Sequence, residues 1–154
     1  IRKGGGGCAC PENAFLKNLL SYLVINNEEW VILDMEAGIE HLGRGTAIGV
    51  NHMIVVVEAN RTSVETAYRI KKLAGELNIF SVLVIGNKIQ DDGEKEFLKN
   101  SIKDIEILGF IKESDSIREL SRGTKSNQKI DGESLKQVEN IIDRLTYISI
   151  GSTV

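Results

Sequence analysis

At 154 residues, 42% of them hydrophobic and 27% charged, the chain has the size and composition of one globular domain, which excludes a disordered, collagen-like or coiled-coil protein. Nineteen basic residues against 22 acidic ones leave a net charge of −3, which gives little support to nucleic-acid binding through phosphates. No apolar run reaches the roughly 18–20 residues of a membrane span, no signal peptide is apparent, and the only two cysteines are too few for a disulfide scaffold, so the expected compartment is the reducing cytoplasm.

The chain opens on Ile1 rather than Met, followed by Arg2, Lys3 and the run Gly4–Gly7. Pro11 suits a first helical turn, and Phe15, Leu16, Leu19, Leu20 and Leu23 then share one face of a predicted helix that ends at Asn26-Asn27. Trp30-Val31-Ile32-Leu33 is a short continuous apolar run that predicts a strand buried on both faces. A glycine-rich, turn-forming stretch follows from Met35 to Gly49, and Met53–Val57 predicts the second buried strand. Thr62 and Glu65 match a capping box that opens a helix to about Asn78, its inner face carrying Ala67, Ile70, Ala74 and Leu77.

Ser81–Ile85 predicts the third strand, ending at Gly86-Asn87-Lys88. Asp91-Asp92 can cap a helix that carries Phe97 and Leu98, and Ile105–Ile111 predicts a fourth strand, weakened by Glu106. Ser114 and Asp115 can cap a short helix through Leu120, Arg122–Asp131 predicts a polar surface loop, and Leu135, Val138, Ile141, Ile142 and Leu145 mark a last amphipathic helix. Apolar strands alternating with helices form βαβ units with right-handed connections. The expected fold class is therefore α/β, a doubly wound, mainly parallel sheet, with residues 1–154 forming a single α/β domain.

In such sheets ligands bind at the carboxyl ends of the strands. Asp34 closes an apolar run and Gly38 lies four residues on; the carboxylate can hold Mg²⁺ through water and a glycine N–H can approach a γ-phosphate, although a strand-end aspartate can equally cap the next turn. Asn87, in Gly86-Asn87-Lys88, can present its amide to a purine edge or simply form a turn. A lysine-bearing phosphate loop is absent from the 154 residues: in Gly123-Thr124-Lys125-Ser126 the lysine does not follow a glycine, and the run Gly4–Gly7 has no Lys-Ser/Thr after it. Cys8 and Cys10 can bind one soft metal but supply half of a tetrahedral set, which a second copy across a two-fold axis would complete; the bland alternative is a pair of inert thiols. His41, beside Glu40, can join a metal site or lie in a solvated loop, and His52 reads as a plain boundary residue.

Together these segments resemble the CooC family, the carbon monoxide dehydrogenase accessory ATPases that serve nickel insertion. The likeness runs through Cys8-Ala9-Cys10-Pro11-Glu12-Asn13, the stretch from Trp30 to Gly45, Val55–Glu58, Ser63–Ala67 and Val84–Lys88, and covers essentially the whole chain. The aspartate-to-glycine loop is shared with MinD and the nitrogenase iron protein, relatives in the same P-loop group. The resemblance implies that Asp34 is the Mg²⁺-associated switch aspartate, that Gly38 faces the γ-phosphate, that Asn87, with Lys88 beside it, contacts adenine, and that the segment Ile111 to Asp115, including Glu113, lines the base. It also implies ATP with Mg²⁺ in the complete protein, and nickel or zinc held by Cys8 and Cys10 across a homodimer that serves carbon monoxide dehydrogenase as client. Lys112 and Ala59 stand where relatives favour proline, and Asn51 where aspartate is usual.

Family members begin with a strand, a lysine-bearing P-loop, a helix and a first switch before the cysteine pair, and none of these is in this sequence. The chain therefore resembles the latter part of such a protein, a P-loop NTPase-like sheet without its first strand, and is expected to be inactive alone. The missing piece is expected to be supplied by a partner copy, a rearranged strand or the source protein itself. Two other functions fit the same residues: a non-enzymatic metal-binding dimerisation module, and an iron–sulfur electron carrier held by four shared thiolates.

Overall fold

The computed structural model describes residues 30–35, 50–123 and 129–151. Two compact units divide the chain, one made of Ile1–Met53 and Arg69–Ser81, the other of Ile54–Tyr68 and Val82–Val154. The elements in chain order are β1 (Met53–Val57), α1 (Arg61–Glu76), β2 (Val82–Ile89), α2 (Asp92–Ser101), β3 (Glu106–Lys112), α3 (Asp115–Ser121) and α4 (Gly132–Gly151). The strands form a three-stranded parallel sheet in the order β1-β2-β3, which makes the fold α/β, as the alternating pattern requires.

The second unit is built on β2 and β3. Leu83, Leu108, Ile141 and Leu145 form a buried cluster, with Ile85, Ile111 and Ile148 packed against it. On the other side of β2, Gly86 lies beneath Leu98 of α2 and Phe110 of β3. Successive strand residues point to opposite faces, so α4 and α2 cover opposite faces of the sheet. Close approach is possible because of two glycines. A Cβ at Gly109 would stand 2.6 Å from Ile141 Cγ1, and one at Gly86 would stand 2.6 Å from Phe110 Cδ1. Arg144 bolts α4 to β3 through Nη1, which donates to the Leu108 carbonyl at 2.8 Å, and Nη2, which reaches Glu106 at 3.1 Å. Glu106 thus begins β3 as a paired, exposed residue and does not interrupt it.

Local chemistry explains the helix ends. Asn60, rather than Thr62, caps α1: its Oδ1 accepts from the Ser63 N–H at 2.9 Å. Thr62 already sits inside the first turn, where a cap can no longer serve the free N–H groups. At the other end Asn78 adopts φ 61°, and the Ile79 and Asn78 N–H groups return to the Ala74 and Gly75 carbonyls, a left-handed stop with asparagine in the place glycine usually takes. Asp91 caps α2 as its sequence predicts, accepting from the Glu94 N–H. Tyr68 of α1 ties to the end of α2, donating to the Ser101 carbonyl and accepting from the Lys103 N–H.

Two further expectations change. Trp30–Leu33 forms no strand, and Ile32 is 87% exposed. An apolar run states a preference for burial, but a strand also needs a hydrogen-bonded neighbour, and sequence alone does not supply one. β2 also runs past Gly86-Asn87-Lys88 to Ile89, because the ladder tolerates an irregularity there: register shifts between Gly86 and Ile89, and Lys88 takes φ 55°. Among the described residues no helix is long and apolar enough to cross a membrane.

Candidate functional site

The carboxyl ends of the three strands bring Glu58, Asn87–Gln90 and Ile111–Asp115 into the second unit. At β2 the bulge leaves Asn87 half-buried and Lys88 exposed. Lys88 Nζ donates to Glu58 Oε1 at 2.5 Å, joining the ends of β1 and β2; this bond and the glutamate's charge raise the Lys88 pKa above its ordinary value. Beyond β3 the Glu113 N–H donates to the Ile89 carbonyl at 3.0 Å, so the two chains stay together after the regular ladder ends.

A recess of about 310 Å³ opens at this edge, lined by Ile89, Gln90, Lys112, Glu113, Asp115 and Arg118. Its polar rim is a chain of bonds. Gln90 Nε2 donates to Glu113 Oε2 at 3.0 Å, Arg118 Nη2 donates to Glu113 Oε1, and Arg118 Nη1 reaches Asp115 Oδ1 at 3.1 Å. The Gln90 N–H is held by Glu94 Oε2 at 2.8 Å. An adjoining recess of about 420 Å³ shares Lys112, Glu113 and Asp115 and continues to Ser114, Ser116, Asp131, Glu133 and Ser134.

Asp131 organises that second recess. Its Oδ2 accepts from the hydroxyls of Ser114 at 2.5 Å, Ser116 at 2.7 Å and Ser134 at 2.9 Å, and its Oδ1 accepts from the Ser134 N–H at 2.8 Å. The Ser114 hydroxyl, then the Ser134 N–H, then the remaining hydroxyls hold this carboxyl well below the usual carboxylate range. One side chain therefore caps α4 and fastens the loop that carries Glu113 and Asp115. Gln137 adds a further tie, its Oε1 accepting from the Lys112 N–H at 2.9 Å.

Of the candidate residues named from sequence, the structure brings Glu113 and Asp115 together at the recess. Ile111 faces the core cluster, and Asn87 and Lys88 lie at the end of β2 outside the recess lining. Asp34 is exposed in a segment without regular structure. Gly38, Cys8, Cys10 and His41 lie outside the described residues; among the described ones no cluster of three metal-ligating side chains occurs. His52 Nδ1 is 2.7 Å from Ser81 Oγ. Sequence reasoning missed Gln90, Arg118 and Asp131. Arg118 carried a signal, since it stands three residues after Asp115 on one short helix, and Asp131 stands three residues before Ser134, the spacing of a helix cap.

No protein-family profile matches the chain. It is 42% identical over 147 residues to an uncharacterized ATP-binding protein of Methanocaldococcus jannaschii, covering 93% of this chain and 56% of that protein. A second uncharacterized ATP-binding protein of the same organism is 34% identical over 150 residues, covering 94% of this chain and 58% of the relative. The carbon monoxide dehydrogenase accessory protein CooC of Rhodospirillum rubrum is 37% identical over 111 residues, covering 72% of this chain and 42% of CooC. The chain thus spans about half the length of the curated relatives it matches. At these identities, and with an α/β parallel sheet, it is a homologue of these ATP-binding proteins over nearly its whole length and of CooC over 72% of it.

Proposed function

We propose that this chain is the carboxyl-terminal part of a CooC-like ATPase that inserts nickel into carbon monoxide dehydrogenase in the reducing cytoplasm, a MinD-like metallochaperone working as a homodimer. The observation that carries the reading is its homology to ATP-binding proteins, CooC among them, joined to a polar recess at the strand ends where an α/β sheet takes its ligand.

In this reading the base of ATP enters the recess beside Glu113 and Asp115, with Ile111 supporting the strand from the core side and Asn87 and Lys88 at the adjacent end of β2. Asp34 supplies a hard carboxylate suited to Mg²⁺ and Gly38 a backbone N–H for the γ-phosphate; a bound Mg²⁺ would neutralise developing phosphate charge. The grip on the triphosphate falls to a lysine-bearing loop outside these 154 residues. Cys8 and Cys10 are soft thiolate donors that suit nickel or zinc as cargo, two from each protomer. ATP-driven closure of the dimer would change the geometry around the four thiolates and so release the metal.

The test compares this chain with a form extended at its front by the phosphate-binding segment. The extended form is expected to bind and hydrolyse ATP, and the chain alone to show no turnover. An extended protein that neither binds nor hydrolyses ATP overturns the reading. Visible absorbance in anaerobically purified protein would instead favour an iron–sulfur carrier.

A further inference from the structure

We infer that Arg118 sets the base preference of the recess: by occupying the Glu113 carboxylate it makes the site accept adenine and refuse guanine. The inference rests on reading the recess as the base site of a purine nucleotide, and it adds the residue that chooses between the purines.

A carboxylate at the rim of a base site is, by itself, a guanine reader. Guanine carries N1–H and the N2 amino group side by side, two donors spaced to meet the two oxygens of one carboxylate. Adenine has no such pair; its edge sets the N6 amino donor beside the N1 acceptor. Two acidic residues, Glu113 and Asp115, line this recess, so left bare they would favour guanine.

They are not left bare. Glu113 Oε1 takes the Arg118 Nη2 donor, Glu113 Oε2 takes the Gln90 Nε2 donor at 3.0 Å, and Asp115 Oδ1 takes Arg118 Nη1 at 3.1 Å. Both oxygens of Glu113, and Oδ1 of Asp115, already have a donor, so neither carboxylate offers the free pair of acceptors that a guanine would need. The same bonds orient Gln90. With its Nε2 turned to Glu113, its carbonyl is the amide end that can face a base, and an acceptor there attracts the N6 amino group of adenine and repels the O6 of guanine. Gln90 is steadied from behind, because Glu94 holds its backbone N–H at 2.8 Å. Arg118 is therefore a positioning residue for specificity, acting through Glu113 and Gln90.

The experiment measures ADP and GDP affinities by titration calorimetry in the extended, ATP-competent protein, for wild type, Arg118→Ala, Arg118→Gln and the double variant Arg118→Ala/Glu113→Gln. Wild type is expected to prefer ADP. Each Arg118 variant should lower the ADP-over-GDP preference by about tenfold, the scale on which an unpaired polar group discriminates at a partly exposed site. Removing the freed carboxylate in the double variant should restore most of the preference, which a merely structural loss would not do. Arg118 variants that keep the wild-type ratio while binding ADP overturn the inference alone. A wild type that binds neither nucleotide overturns the nucleotide reading itself.

Discussion

Asp131 shows how one side chain can organise a loop through hydrogen bonds. Four donors converge on its two oxygens, and the carboxyl is held as an anion well below its ordinary range. A depressed folded-state pKa means that the stabilisation is fully present above the unfolded-state value, about 4, and is lost as pH falls through the folded value. Asp131→Asn should therefore unfold at lower urea than wild type at pH 7, and the gap should narrow below about pH 4. A gap that stays constant down to about pH 3 would show that the charge is immaterial. The sequence marks Asp131 as the end of a polar loop and, by its spacing from Ser134, as a helix cap, but not as a meeting point for Ser114 and Ser116. Its three serine partners are 17, 15 and 3 residues away, and only the fold sums them at one point.

At the level of elements, packing is controlled by what is missing from two glycines. Gly86→Ala would drive a methyl into Phe110 and Leu98, contacts of 2.6 and 3.0 Å, and should cost about 1–3 kcal/mol in urea unfolding. Adding Phe110→Leu should recover part of that loss, since the ring is the obstacle. The end of α1 offers the opposite sign: Asn78 already holds φ 61°, so Asn78→Gly should raise stability by up to about 1 kcal/mol, whereas Asn78→Val should lower it. A thermal melt separates the two. The helices were legible because their apolar spacing is local: Asp91 caps α2 and the inner residues Ala67, Ala74, Ile141 and Leu145 are buried as the pattern puts them, whereas Leu135, Val138 and Ile142 of the last helix are exposed and Asn60 takes the cap that the spacing gave to Thr62. The run Trp30–Leu33 was misleading for the converse reason, since strand formation depends on a neighbour that no local window contains.

For the whole molecule, α/β character follows from alternation and needs no motif, whereas the recess does not. Glu113 and Asp115 were reached through a family resemblance, but the ring of bonds through Gln90 and Arg118 joins the ends of two strands and a short helix, and no spacing rule spans that gap. The proposed two-protomer metal site makes a stoichiometric prediction. Metal analysis after gel filtration should find one divalent ion per two chains, lost together with dimerisation or metal retention in Cys8→Ser. An ion bound once per monomer would remove the shared-thiolate scheme and leave the ATP reading standing.

The irregularity between Gly86 and Ile89 has a consequence for how the gene can vary. It sets Asn87 and Lys88 of β2 opposite Ile111 of β3, two residues against one. Because the partner strand has one residue where β2 has two, dropping one codon here would restore even alternation, leaving Ile89 opposite Lys112 and Gln90 on the side of Glu113; what it would remove is the φ 55° kink at Lys88 and the reach of that lysine to Glu58. A one-residue deletion at Lys88 should therefore leave the pairing of β2 with β3 in place while abolishing the bond to Glu58.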